Sequence, residues 1–238
     1  FFDTKKRGII KGHFNDYLRE GGMPEYLRYG EKEALKKVYN DILYRDIVSR
    51  YDIRDVKALR ELALYLASNL GSFFSYNGLR KFLGLGSANT AKAYVDYLEN
   101  SFLFFSLNIY SHSVKKQLVA NKKIYCADNG LADVVAFRFS EDRGKYLENA
   151  VFLELKRRDK EIYYYKTKNN LEVDFLTKKG IKPASLIQVC WSLKDEKTKE
   201  REIKALSLAM DELKLKNGLI LTDNEDETIK IKGITIII

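Results

Sequence analysis

The chain has 238 residues, enough for one large or two ordinary domains, and hydrophobic residues make up 45% of it. No apolar run reaches the ~20 residues of a membrane-spanning helix, so we expect no membrane partner. A net charge of +9 suits nucleic acid, although a Lys-, Glu- and Ile-rich composition is also typical of heat-adapted proteins. Cys126 and Cys190 form neither a disulfide framework nor a metal pattern, which favours a cytoplasmic setting.

Residues 1–54 are predicted to be a helical connector, with Val38, Ile42 and Ile47 on apolar faces. Gly21-Gly22-Met23-Pro24 should break the helix, because the residue before proline avoids the helical region. The chain begins with Phe1 rather than Met, so we expect it to be a piece of a longer protein.

Residues 55–142 are predicted to form a winged-helix domain. Asp55 can cap a first helix, and Gly84-Leu85-Gly86 makes a turn before Ser87 caps a later one. A strand-like stretch, 102–107, a polar basic loop and a second strand at 123–125 follow. The order of helix, helix, turn, helix, strand, loop and strand is that of a winged helix.

Residues 143–238 are predicted to form a separate α/β domain. Its helices cover 145–158 and 197–215, and its strands are expected at 162–166, 171–177, 185–190, 218–222 and 228–231, before an apolar tail. This is an αβββαβ order, so the predicted fold class is α+β with a restriction-endonuclease-like core.

The winged helix offers a candidate nucleic-acid interface. Small polar or basic residues near the start of a recognition helix reach base edges, and basic residues of a wing bind phosphates. Residues 60–125 carry eight Lys or Arg against three Asp or Glu, an excess of +5. The alternative is a packing or partner-binding module, because Asp96 on the open face would repel phosphate. The candidate residues are Ser87, Asn89, Thr90 and Lys92 on the helix and Lys115, Lys116, Lys122 and Lys123 in the wing.

Carboxylates form a second candidate site in the last domain. Strand alternation puts Glu172 and Asp174 on one face, and paired strands can bring Asp174 and Gln188 together with Glu148 above them. Such oxygen ligands suit Mg²⁺, with Glu148 and Asp174 as the metal ligands.

Glu148, the Val-Asp-Phe around Asp174 and the following strand resemble the PD-(D/E)XK nuclease superfamily. The whole chain is similar to the C-terminal half of archaeal and bacterial predicted AAA+ ATPases. The segments that carry this similarity are Tyr17-Leu18, Gly21-Gly22, Pro24-Glu25, Tyr44-Arg45-Asp46-Ile47, Lys123-Ile124-Tyr125-Cys126-Ala127-Asp128-Asn129-Gly130-Leu131, Gly144-Lys145-Tyr146-Leu147-Glu148-Asn149 and Glu172-Val173-Asp174-Phe175. The resemblance implies a preceding ATPase domain as partner and ATP as its cofactor, since no Gly-x-x-x-x-Gly-Lys-Ser/Thr motif occurs here.

The chain departs from the nuclease pattern where an acid-x-Lys is expected, because it has Gln188-Val189-Cys190. A neutral thiol cannot supply the cation that phosphodiester hydrolysis needs, although Lys166 on the preceding strand is a possible substitute. We therefore expect Glu148, Asp174, Gln188 and Cys190 to form a degenerate, inactive site in a DNA- or partner-binding module. The alternatives are an active metal-dependent nuclease and an oligomeric protein-interaction scaffold without DNA affinity.

Overall fold

The computed structural model describes residues 3–136, 142–231 and 233–238. The protein is of mixed α+β class, as predicted from the sequence. The helices are α1 (Thr4–Glu20), α2 (Pro24–Tyr29), α3 (Lys32–Asn40), a π-helix (Asp41–Val48), α4 (Ser49–Tyr51), α5 (Val56–Ser68), α6 (Tyr76–Leu83), α7 (Ala88–Asn100), α8 (Val114–Val119), α9 (Asn129–Val135), α10 (Arg143–Arg157) and α11 (Glu196–Leu213). The strands are β1 (Phe73–Phe74), β2 (Phe104–Leu107), β3 (Lys122–Cys126), β4 (Glu161–Lys166), β5 (Glu172–Lys179), β6 (Lys182–Val189), β7 (Asn217–Leu221), β8 (Thr228–Ile231) and β9 (Ile234–Ile237).

The chain divides into two compact units. The first comprises Phe1–Ser106 and Ile124–Ala150, and the second comprises Leu107–Lys123 and Val151–Ile238. None of the described helices is long and apolar enough to cross a membrane.

The first unit is built around the predicted helices of residues 55–100. Asp55 accepts a hydrogen bond from the amide of Ala58 at 3.0 Å, and Ser87 accepts one from the amide of Thr90 at 3.1 Å, so both predicted N-caps are present. The apolar positions of α5 and α7 form one core. Strands β1, β2 and β3 make a three-stranded sheet in the order β1-β3-β2.

Residues 3–54 contribute directly to the core of the first unit. Leu43 and Ile47, both on the π-helix, are fully buried in the same cluster as α5 and α7. The predicted break is confirmed, since α1 ends at Glu20 and α2 begins at Pro24. The sequence did not predict the π-helix. Its backbone hydrogen bonds join residues five apart rather than four, and the pattern of apolar residues does not reveal this difference.

The second unit contains a six-stranded sheet in the order β4-β5-β6-β7-β9-β8. Strands β4, β5 and β6 are antiparallel neighbours, whereas β7 runs parallel to β6 and β9 runs parallel to β7. The predicted order of elements from α10 to β7 is confirmed. The apolar tail is strand β9, which lies between β7 and β8, because pairing on both sides satisfies its backbone groups.

A β-bulge interrupts the middle of β5. Tyr163 pairs with Leu176 and Tyr165 pairs with Val173, so the stretch of β5 between them holds one more residue than its partner strand. Val173 and Leu176 both pack into the core beneath α11, whereas the ring of Phe175 lies 6.4 Å from that of Phe152. Strict alternation along a strand would put Val173 and Phe175 on the same face, but alternation does not hold across a bulge, and the two side chains lie on opposite faces.

Candidate functional site: a buried ion cluster

Among the described residues of the second unit, the most buried charged side chain is that of Lys123, which is 2% exposed. Its Nζ lies 2.8 Å from an oxygen of Glu172 and 2.9 Å from Oδ1 of Asp174. The side chain of Asp174 is 10% exposed and that of Glu172 is 30% exposed. The predicted shared orientation of Glu172 and Asp174 is confirmed by this common partner. We call Lys123, Glu172 and Asp174 the ion cluster.

The prediction that Lys123 binds phosphate in a wing was wrong. Lys123 was expected to begin a strand and to present its charge to phosphate. It does lie within β3, but its ammonium is enclosed between carboxylates. A Lys beside another Lys in a polar stretch gives no signal of burial. The pairing joins residues far apart in the sequence, so no local pattern could have found it.

The second oxygen of Asp174 is also occupied. Oδ2 accepts a hydrogen bond of 2.9 Å from the amide of Val189 on the neighbouring strand β6. Asp174 thus accepts one charged and one neutral hydrogen bond, which together compensate the burial of its carboxylate.

Gln188 lies beside Asp174 but belongs to a different set of contacts. Its Oε1 accepts from the amide of Asp174 at 3.3 Å, and its Nε2 donates to Glu202 of α11 at 2.6 Å. Arg201 in turn donates to the other oxygen of Glu202 at 2.6 Å. The side-chain nitrogen of Gln188 is therefore bound to α11, and its side-chain oxygen is bound to the backbone of Asp174. Neither of these two hydrogen bonds involves a charged group of the ion cluster. Glu202 was missed, although a Glu three to four residues before the buried Ala205 and Leu206 marks it on the apolar face of the helix.

Glu148 and Cys190 have separate environments. Glu148 accepts a hydrogen bond of 2.7 Å from the hydroxyl of Tyr125, within the first unit. The half-buried thiol of Cys190 donates to the carbonyl of Ser192 at 3.2 Å, and burial raises the pKa of this thiol. Cys190 is therefore a neutral group that packs against the core of the second unit.

The donor set around Asp174 does not suit a divalent cation. Both oxygens of Asp174 are engaged, and the ammonium of Lys123 would repel a metal ion placed against them. Within residues 3–136, 142–231 and 233–238, no three His, Cys, Asp or Glu side chains are grouped so that they could hold a metal ion.

The predicted recognition-helix residues lie at the start of α7. The hydroxyls of Ser87 and Thr90 are 3.0 Å apart, and both serve the N-terminal cap of the helix. Asn89 and Lys92 are exposed and present their polar groups to solvent. At this end of α7, the groups exposed to a ligand are the side-chain amide of Asn89 and the ammonium of Lys92.

The remaining predicted wing residues lie in the second unit. The expected loop contains helix α8, on which Lys115 and Lys116 are exposed. Lys122 is half-buried and donates to the side-chain oxygen of Asn108. The four lysines therefore differ in role, and only two of them present exposed charge.

A polar network in the first unit accounts for several of the motif residues. Asp128 accepts from the amide of Gly22 at 2.6 Å, and Asn129 donates to the carbonyl of Leu18 at 2.8 Å. The fully buried Asn149 bonds both the amide and the carbonyl of Cys126, at 2.9 and 3.0 Å. These residues tie the end of α1, α9 and α10 together, so their role is structural.

The fold and the ion cluster define a two-unit α+β protein with an acidic pair that is bridged by a buried lysine. The chain belongs to the family described as domain of unknown function DUF8612, whose model matches residues 11–142, more than half of the chain. Residues 143–238 match the model of a second family, described as domain of unknown function DUF4143.

Curated relatives extend well beyond this chain. An uncharacterised protein of Methanocaldococcus jannaschii is 35% identical over 243 residues, which cover 97% of this chain and 54% of the relative. An uncharacterised protein of Haemophilus influenzae is 30% identical over 185 residues, which cover 75% of this chain and 46% of the relative. The chain thus spans about half the length of the curated relatives it matches. No solved structure matches the chain.

Proposed function

We propose that this chain is the DNA-associated, non-hydrolytic C-terminal region of an AAA+-type ATPase, with a nuclease-like domain whose acidic site is occupied by an ammonium of the same chain. The single observation that carries the proposal is the ammonium of Lys123 between Glu172 and Asp174.

The contacts of the acidic site disfavour phosphodiester hydrolysis. A nuclease of this kind needs carboxylate oxygens open to a metal ion and a cation near the attacking hydroxide. Both oxygens of Asp174 are occupied here, and Gln188 is neutral and bonded to α11. Cys190, at the position of the pattern's lysine, is a thiol whose pKa is raised by burial. This position therefore carries no positive charge, and the ammonium that the site does have, on Lys123, is bound to both carboxylates.

The topology of both units supports the nuclease-like and winged-helix assignments. The order α10-β4-β5-β6-α11-β7, with β7 parallel to β6, is that expected of a restriction-endonuclease-like core. The order α5-β1-α6-α7-β2-α8-β3, with β3 between β1 and β2, is that expected of a winged helix whose wing contains the short helix α8. Since the relatives are about twice as long, we place the ATPase domain in the part that this chain does not match.

A cleavage assay tests the hydrolytic part of the proposal. Linear and supercoiled DNA are incubated with the protein in Mg²⁺ or Mn²⁺, and we expect both substrates to stay intact. Cleavage by the unaltered protein that disappears in Asp174→Ala would establish an active nuclease and overturn the proposal.

A binding titration tests the association with DNA. Fluorescence anisotropy with a labelled duplex should show binding at low salt that weakens steeply as salt rises. Lys92→Glu should reduce the affinity and lower the salt slope by about one. Lys204→Glu, on the exposed side of α11, is the matched control for net charge. Absence of duplex binding at low salt would favour a protein-interaction scaffold instead.

A further inference from the structure

A basic pocket lies on the second unit, and one of its lining residues, Lys166, pairs across strands with Glu172 of the ion cluster. Its walls are the segment that leads into α8, the turn after β4 and the end of α11, and its volume is about 280 Å³. This volume is close to the lower end of the range for small-molecule sites. The pocket belongs entirely to one unit, so its walls form a single local structure.

Positive charge predominates in this pocket. Lys116, Lys166 and Lys168 line it, and Lys116 and Lys168 are exposed. The only acidic side chain among its lining residues is Glu212, whose oxygens accept from the hydroxyl of Tyr165 at 2.7 Å and from the amide of Lys168 at 2.9 Å. Since Glu212 is held by the walls themselves, the excess charge of the pocket suits an anion.

An aromatic surface stands next to these cations. His112 is exposed, and its ring lies 5.5 Å from that of the buried Tyr110 in an edge-to-face arrangement. The backbone of Tyr110 is fixed to β4, because its amide donates to the carbonyl of Tyr164 at 2.8 Å. The exposed imidazole of His112 therefore packs against Tyr110, a residue whose backbone is hydrogen-bonded to β4.

We propose that this pocket binds single-stranded nucleic acid, with the lysines on the phosphates and one base stacked on His112. A concave site beside an exposed ring takes an unstacked base, which a continuous duplex does not offer. The proposal rests on the DNA association proposed above and extends it to a second, strand-specific site.

The experiment compares a labelled oligothymidylate with a duplex of equal length by anisotropy, across a range of salt concentrations. The pocket variant Lys116→Ala/Lys168→Ala is matched by Lys194→Ala/Lys204→Ala, which removes the same charge from exposed positions elsewhere in the unit. The pocket variant should lower the salt slope for oligothymidylate by about 1.4, because each phosphate contact to a single strand contributes ~0.7. The matched variant should leave that slope unchanged.

Two substitutions of His112 separate stacking from charge. His112→Ala should weaken oligothymidylate binding ~10-fold, whereas His112→Phe, which keeps an aromatic ring, should stay within ~2-fold of the unaltered protein. Equal urea midpoints for all variants would show that they are folded.

The outcomes distinguish this proposal from the function on which it rests. Loss of oligothymidylate binding in Lys116→Ala/Lys168→Ala and in His112→Ala, with duplex binding retained in His112→Ala, supports the pocket. Pocket variants that behave like the matched control overturn it, and duplex binding that still depends on Lys92 would then leave the DNA association intact. A protein that binds neither oligonucleotide at low salt overturns both.

Discussion

Replacing Lys123 by Met removes the only cation of the ion cluster and keeps most of the side-chain volume. At an effective dielectric constant of ~20, each Lys–carboxylate contact near 3 Å has a gross attraction of about 6 kcal/mol. The desolvation of three charged groups offsets much of this attraction. Removing one partner nevertheless leaves Asp174 buried at 10% exposure with its charge unpaired, beside Glu172. We expect Lys123→Met to lower the free energy of unfolding by about 3–5 kcal/mol.

Urea unfolding followed by circular dichroism measures this loss. With an m-value of ~1–3 kcal/mol/M, the midpoint should fall by at least ~1 M. Lys204→Met, an exposed position on α11, is the control and should change stability by less than ~0.5 kcal/mol.

A double-mutant cycle identifies the cause of the loss. Asp174→Asn still accepts from the amide of Val189 through its side-chain oxygen but carries no charge. Lys123→Met/Asp174→Asn should therefore recover part of the stability lost in Lys123→Met, with a coupling energy of ~2 kcal/mol or more. A cost below ~1 kcal/mol for Lys123→Met, or strictly additive effects, would refute the assignment of Lys123 as the counter-ion that holds the acidic site.

Three further predictions concern packing and reactivity. Asn149→Ala should lower the free energy of unfolding by ~3 kcal/mol or more in urea, because it removes two buried hydrogen bonds with the backbone of Cys126; a loss under ~1 kcal/mol would contradict the network. Gly130→Ala should lower the free energy of unfolding, because the new Cβ would lie 2.1 Å from the carbonyl oxygen of Glu20. Gly8 has open space around it, so Gly8→Ala should stabilise α1 by up to ~1 kcal/mol. Iodoacetamide should label Cys190 more slowly at pH 8 than a free thiol, because its raised pKa lowers the thiolate fraction; mass spectrometry that found equal rates would disprove this.

Local patterns carried much of the information on secondary structure. The caps at Asp55 and Ser87 and the break before Pro24 depend on neighbouring residues, so the sequence predicted them correctly. Helix α8 was missed because Lys115 and Lys116 stand among exposed apolar residues, and such a short helix shows no apolar stripe.

The candidate site was predicted only in part. Glu172 and Asp174 were placed on one face by alternation, which requires only that their stretch of β5 is extended. The cation expected beside them was missing at Cys190, and Lys166 on the preceding strand was considered as a substitute, but the ammonium at the site comes from Lys123 on β3. The bulge in β5 was not predicted either, because it depends on which residues of β4 and β5 pair with each other.

The sequence by itself therefore determined the class of fold, the order of the elements from α10 to β7 and the presence of an unbalanced acidic pair, because these follow from periodicity and residue type within short windows. Only the tertiary structure decided that the lysine counted as a phosphate ligand is buried against Asp174. The physical reason is that a buried charge finds its partner through space, and the folding of β3 and β5 brings together groups that no local pattern connects.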